Sequence, residues 1–441
     1  MKSIFLSSLL LLVGASLFAQ QELGLHFMTD MLQSQATQPA YFSPKKMVIS
    51  LPSSTYSFSN SGFVLADILS KSRNSLVING NPTLEKMRAE NYIRANVTLS
   101  PIAFALRVKD FQVGFSTAFK TNVYANYSQE MIGLLFQGNG QYVGKTVDMG
   151  VDLAANAYSE MAATVAYRVP SNKRNKESNC TIGAKFAYLN GWANLSTSPN
   201  RKQATLHTDK EIYALTLKTD YELQSSMVME GDIMQGKLGT SSPRLFGQNH
   251  GWAMDLGATY NLNPKWKVSA SVIDIGKIHW VENAKSYRSK GTYNHKGLSF
   301  DELLNGGGNT DFQSLPDTLK KIFQFKETQT TGYSTTLPTQ FYLSMTYQPF
   351  SFIHFGGLVY GEWYRQKLNP AIALSSNFNW KYFSFGVLSS YRNGRFGNLG
   401  LNAALKYHAL QMYVATDHLI GALAPQTTRN SNLKAGVNLA F

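Results

Sequence analysis

The sequence predicts an all-β fold, a transmembrane antiparallel barrel of about fourteen strands with large loops at one end. Three observations predict it. The chain opens on an export signal, after which no apolar run of about 18 residues occurs, so no helical span follows. Aromatic residues make up 12% and charged residues only 15% of the 441 positions, against roughly 25% charged in soluble domains. A period of two in polarity recurs from residue 46 to the last residue, Phe441. A barrel strand shows lipid only its alternate residues, which accounts for a mean hydropathy of −0.19 in a membrane-spanning chain.

The first residues read MKSIFLSSLLLLVGASLFAQQ: a lysine, an apolar stretch, then small residues ending at Ala19. This is the pattern of a secretory signal peptide, expected to be cleaved after Ala19. The cysteine of the chain is Cys180. It rules out a lipoprotein anchor at the new N-terminus and an internal disulfide framework.

The alternation is plainest at the end. In SNLKAGVNLAF, Leu433, Ala435, Val437, Leu439 and Phe441 share one face, and Asn432, Lys434, Gly436 and Asn438 the other. In FQVGFSTAF, Phe111, Val113, Phe115 and Phe119 oppose Gln112, Gly114, Ser116 and Ala118. Over 151–169, Val151, Leu153, Met161, Val165 and Tyr167 point outward, and Asp152, Asn156, Glu160, Thr164 and Arg168 inward. A soluble sandwich alternates as well. Aromatics at strand ends, such as Tyr167, Tyr260, Trp266, Tyr347, Trp380 and Tyr407, favour the girdles of a membrane barrel.

The strands are expected at 46–59, 91–108, 111–123, 151–169, 181–195, 251–262, 266–281, 338–348, 352–364, 370–380, 382–392, 398–407, 409–417 and 432–441. Short turns alternate with insertions at 60–90, 124–150, 196–250 and 282–337, which parity places outside the cell, with both termini in the periplasm. EIYALTLKTDYEL reads as an extended hairpin that does not span. A sixteen-strand barrel with two spans inside 196–250 is the alternative. A helix is expected around 316–326, because Pro316 and Asp317 make a good first turn. Residues 20–45 precede the barrel and carry a helical stretch, HFMTDMLQSQ. Leu23, Leu25, Phe27, Met28, Met31 and Leu32 favour an ordered arm in the lumen over a free tail.

The chemistry inventory is thin. The eight histidines show no metal-ligand spacing. His354 and Ser351 lie on opposite faces of one strand and cannot form a dyad. No nucleophile, metal site or cofactor motif is found, and a non-enzyme is expected. The net charge of +14 and pI of about 9.5 suit anionic lipid headgroups and lipopolysaccharide rather than nucleic acid. Lys185 and Lys434 are expected in the lumen, opposite carboxylates such as Asp152, Glu160 and Asp255. Leu433, Val437, Leu439 and Phe441 are expected to dock on the barrel-assembly machinery by strand addition; Phe441 as a plain interfacial anchor is the alternative.

Three stretches resemble a family of Bacteroidota outer-membrane barrels catalogued as a domain of unknown function: ANAYSEMAATVAYRV (155–169), TIGAKFAYLNGWANL (181–195) and NHGWAMDLGATYNLNPKWKVSASVIDIGKIHW (249–280). The matching positions include Glu160, Gly183, Lys185, Gly191, Asp255, Gly257, Asp274, Gly276 and Trp280. The layout is remotely similar to outer-membrane transporters of long-chain fatty acids. The resemblance implies an integral outer-membrane barrel and no agreed activity. Gly191 and Gly276 read as strand interruptions, either a barrel corner or a lateral opening, with Asp274 capping freed backbone N–H groups. The expected function is transport or binding of small hydrophobic molecules. The alternative is a structural barrel docking other envelope proteins in an assembly or secretion complex.

Overall fold

Outward apolar residues and inward polar ones leave each strand with one face for lipid and one for the lumen, and closure satisfies every ladder edge. The protein, described here from a computed structural model, is defined over residues 23–72, 75–78, 81–170, 179–211, 213–228, 246–295, 323–392 and 395–441. Among these, fourteen antiparallel strands close a barrel. They are β1 (Met47–Ser50 and Ser53–Asn60), β2 (Glu90–Ser100 and Ala103–Val108), β3 (Phe111–Ser128), β4 (Asp152–Val169), β5 (Asn179–Thr208), β6 (His250–Asn263) and β7 (Trp266–Trp280). The ring continues through β8 (Tyr333–Thr336 and Thr339–Phe350), β9 (Ile353–Tyr364), β10 (Lys367–Asn379), β11 (Phe383–Arg392), β12 (Arg395–Tyr407), β13 (Leu410–Thr416) and β14 (Asn430–Ala440). β14 closes on β1, with Val48 opposite Ala440 and Ser54 opposite Ala435. No described helix is long and apolar enough to cross a membrane.

The faces follow the alternation. Val165, Leu256, Phe341 and Leu433 are exposed on the outer wall, while Glu160, Asp255, Asn402 and Lys434 are buried inside. Aromatic rings cluster at the short-turn end, where Phe350, Phe352, Phe378, Trp380 and Phe383 stack in sequence.

The sixteen-strand alternative is set aside. β5 runs past the rim to Thr208 and pairs there with Leu215–Met227, which pairs in turn with Lys285–His295. EIYALTLKTDYEL thus belongs to a sheet standing on β5, not to the ring. Of the helix expected at 316–326, residues 316–322 lie outside the described residues, and Lys326–Gln329 is a strand on the edge of that sheet.

The segment 23–45 runs inside the lumen. It forms one helical turn (Leu23–His26) and a 3-10 turn (Leu32–Ala36) rather than the longer helix the pattern suggests. A helix this short is marginal in isolation, and here wall contacts decide the path. Gly24 N–H donates to Asp417 (2.8 Å), His26 Nε2 pairs with Ser344 (2.8 Å) and Gln33 donates to Ser50 and Asn438 (both 2.8 Å). Further on, Gln38 donates to Ser269 (2.6 Å) and Ser43 N–H donates to Gln112 (2.7 Å).

Candidate functional site

Three features meet in the lumen: a chain of buried charges, a break in the wall and an apolar belt. The charges come from five successive strands, β3 to β7. Lys185 reaches Glu160 (3.0 Å) and Asp255 (2.7 Å); Lys120 reaches Glu160 (2.6 Å) and Asp274 (3.6 Å). Each ammonium thus lies between two carboxylates. Removing Lys185 or Lys120 would leave Asp255 or Asp274 without its ammonium, the costly case.

The chain ends at an irregularity between β6 and β7. Asp255 faces two residues, Ile273 and Asp274, where the register shifts by one. Asp274 sits at φ 57°, and its N–H donates to Asp255 Oδ1 (2.7 Å). The capping acceptor is therefore Asp255, not Asp274 as the sequence suggests; the Asp274 carboxylate turns to Lys120 instead. On the other side of β7, pairing with β8 stops at Ile273–Gln340 and resumes at Lys277–Thr336. Pro338 lies in this gap and has no N–H to give, while Leu337 N–H bonds to Gly276 O (3.0 Å).

The belt lies beside the break. Ile273, Tyr342, Leu358, Tyr360 and Leu388, on β7, β8, β9 and β11, point into the lumen and are covered by Leu23 and Phe27 of the arm. A second cluster packs Leu25, Met28 and Met31 on Tyr413 and Ala415 of β13. Against β1 to β3 the arm leaves a cavity of about 220 Å³. Its walls carry Ser53, Thr55, Asn96, Thr98, Ser116 and Asn122, and it extends to Asp274 and Pro338 at the break.

Glu160, Lys185, Asp255 and Asp274 are thus brought together, and the glycines serve close approach. A Cβ at Gly257 would lie 2.0 Å from Gln38 Oε1, and one at Gly183 2.3 Å from Pro39 O. Gln38 and Pro39 can approach the wall this closely because those positions lack side chains. Gly191 lies at a register shift in β5 and gives its space to the fully buried Trp280, which donates to Thr335 (2.8 Å). Gly276 lies in the β7–β8 gap. Leu433 and Phe441 are exposed outside, with Val437 and Leu439 half-buried on the same face, remote from this cluster. Lys434 pairs with Asp417 (2.8 Å), both fully buried, and Asp152 takes Lys202 (2.9 Å) and Arg365. Sequence reasoning missed Lys120, Arg94, Glu362 and Asp417. Alternation puts Lys120 and Arg94 on the inner face, but the pairing partners are far away in the chain. Among the described residues no group of His, Cys, Asp and Glu is placed to hold a metal ion.

The description "Family of unknown function (DUF5723)" matches residues 39–417. The chain belongs to the DUF5723 family. No curated protein matches this DUF5723 chain. Among solved structures it is similar to a TodX deltaS2S3 mutant monoaromatic hydrocarbon channel, with TM-score 0.45, 7% identity, 97% of this chain and 96% of that one covered. It is also similar to the P. putida toluene transporter TodX (0.42, 7%, 92% and 94%) and to a Pseudomonas aeruginosa FadL homologue (0.39, 9%, 97% and 93%). At such scores the likenesses carry no argument about this DUF5723 protein.

Proposed function

We propose that this barrel is a non-enzymatic outer-membrane protein that binds small hydrophobic molecules in its lumen and passes them on. The observation that carries the reading is the apolar belt. A lumen filled by water has no use for Ile273, Tyr342, Leu358, Tyr360 and Leu388 at one level, and Leu23 and Phe27 occupy the place a hydrophobic ligand would take. The exit lies at the β7–β8 gap. Outside that wall is an apolar hollow of about 1030 Å³ bordered by Leu256, Val272, Phe341, Leu343, Val359 and Leu368, so a ligand that leaves sideways past Asp274 and Pro338 meets apolar surface outside.

The test is binding of N-phenyl-1-naphthylamine to the barrel in nanodiscs. Leu23→Ser/Phe27→Ser uncovers the belt and tightens binding, because apparent affinity rises as the competent state becomes populated. Adding Leu358→Gln abolishes the gain. Equal affinity in all three proteins rejects the reading.

The proposal includes export by the signal peptide, the long loops outside the cell, contact with lipopolysaccharide, and assembly through Leu433, Val437, Leu439 and Phe441. Deleting Phe441 then lowers inserted protein in cells while leaving detergent-refolded barrel nearly as heat-resistant as wild type. A second reading, an accessory barrel that docks envelope proteins, draws on the sheet standing on β5, whose edge strand Lys326–Gln329 is exposed throughout. Co-purification of a stoichiometric partner lost on deleting that strand would support it.

A further inference from the structure

At the long-loop end, the β9–β10 hairpin leans across the lumen. Glu362 of β9 pairs with Arg94 of β2, both buried. Those strands are diametrically opposed: β3 to β8 separate them one way, and β10 to β14 with β1 the other. The next residues repeat the contact over neighbouring strands. Tyr364 packs its ring on Tyr124 of β3 (centroids 5.6 Å apart). Arg365 pairs with Asp152 of β4 and donates to Thr197 O (2.7 Å). Lys367 pairs with Glu90 of β2 (2.7 Å).

We propose that the hairpin tip, Glu362 to Lys367, is a latch that closes the long-loop mouth of the lumen and opens to admit solutes. Arg94, Tyr124, Glu362 and Tyr364 line the cavity described above, so these contacts form its roof. The turn itself is held under strain. Arg365 and Gln366 have φ of 49° and 63°, a two-residue hairpin geometry that favours Asn and Gly. Its cross-lumen contacts hold that conformation in place. The attachment is also detachable. It consists of ion pairs and one small ring cluster, Tyr364 on Tyr124 and Ala154, rather than an extended apolar core. When Arg365 leaves, Asp152 keeps Lys202 at 2.9 Å, so the Asp152 carboxylate is not left bare. Lys367 and Glu90, largely exposed, add little to the hold.

The proposal concerns access to the lumen, not the nature of the ligand, and its test uses no hydrophobic probe. On a Cys180→Ser background, Thr98→Cys places a thiol in the cavity beneath the roof. Lys326→Cys, on the exposed sheet, serves as a reagent control. A sulfonated, membrane-impermeant maleimide is added to the barrel in nanodiscs, where both faces are accessible. With the latch intact, Thr98→Cys labels slowly. Arg365→Ala raises the rate by about tenfold, as expected when a closed state loses its main tether, and the control rate does not change. Glu362→Arg also opens the cavity, and adding Arg94→Glu closes it again, which a merely structural pair would not require. Folding of each variant is verified by heat-modifiable gel mobility. Should Arg365→Ala not fold, Tyr364→Ala, which takes the ring off Tyr124, gives a smaller rise in rate. Fast labelling with the latch intact, or unchanged slow labelling in folded latch variants, overturns the proposal.

Discussion

The two halves of the lumen are built differently. Along β1 to β3 the inner wall carries Ser53, Thr55, Asn96, Thr98 and Ser116, and the arm stands off these residues across a cavity, touching this side of the barrel at Ser50 and Gln112. Across from it, on β7 to β11, the wall carries Ile273, Tyr342, Leu358, Tyr360 and Leu388, and the arm covers it. Hydroxyls and amides satisfy themselves with water, so a polar wall needs no cover; an apolar wall gains by burial, roughly 25 cal/mol per Å². The difference teaches what the arm is for. Leu23 and Phe27 cover the apolar wall, while Gln33, Gln38 and Ser43 tie the rest of the arm to polar wall residues; on the proposed function, departure of Leu23 and Phe27 uncovers a hydrophobic site.

The comparison breaks most sharply at the charged chain between the halves. Lys185→Met leaves Glu160 with one partner and Asp255 with none of its ammonium pairing, an expected loss of ~3–5 kcal/mol, read as a fall in the temperature of barrel unfolding on gels. A milder cut compares the walls themselves. Leu358→Ala, under Leu23 and Phe27, is expected to cost ~2–5 kcal/mol. Thr98→Ala, facing the open cavity, should stay within about 0.5 kcal/mol. Equal effects in urea unfolding would mean the two halves are not distinct. Gly257→Val sharpens the role of the arm: a side chain there meets Gln38 and Pro39. The arm should become sensitive to added protease, with the ring itself intact.

The smallest effect is one of pH. Next to the arm's anchor Asp417, His418 caps the short helix Leu419–Leu423, accepting from Gly421 N–H at 2.9 Å. Burial lowers its pKa below the ordinary 6.5. The folded state therefore binds its proton less readily than the unfolded one. The stabilisation by the neutral cap is fully present above about pH 6.5 and is lost as pH falls through the lowered pKa of the folded state. Hydrogen exchange over 417–424, corrected for intrinsic rates, should be faster at about pH 5 than at about pH 8; unchanged protection would remove His418 as the cap.

Much of the ring was legible because alternation is local. The expectation of 266–281 for β7 meets Trp266–Trp280, and Val165 and Glu160 lie on the faces their neighbours dictated. What was not legible depends on partners distant in sequence. Asp274 looked like a cap beside a kink, yet the acceptor is Asp255, nineteen positions earlier, and only the β6–β7 register brings them together. The pairing of Arg94 with Glu362 crosses the lumen, 268 residues apart, and no strand pattern announces it. The glycines Gly183 and Gly257 stand out only as matching positions of the family resemblance, whereas the structure uses them to admit Gln38 and Pro39.

The central claim is that the arm and a hydrophobic ligand compete for one wall. Hydrogen exchange of residues 23–36 in the nanodisc-held barrel, with and without saturating N-phenyl-1-naphthylamine, tests it most directly. Competition predicts that the amides of the Leu23–His26 turn exchange faster when the probe is bound, while β7 to β11 keep their protection. Arm amides that exchange at the same rate, or more slowly, with the probe bound would contradict it.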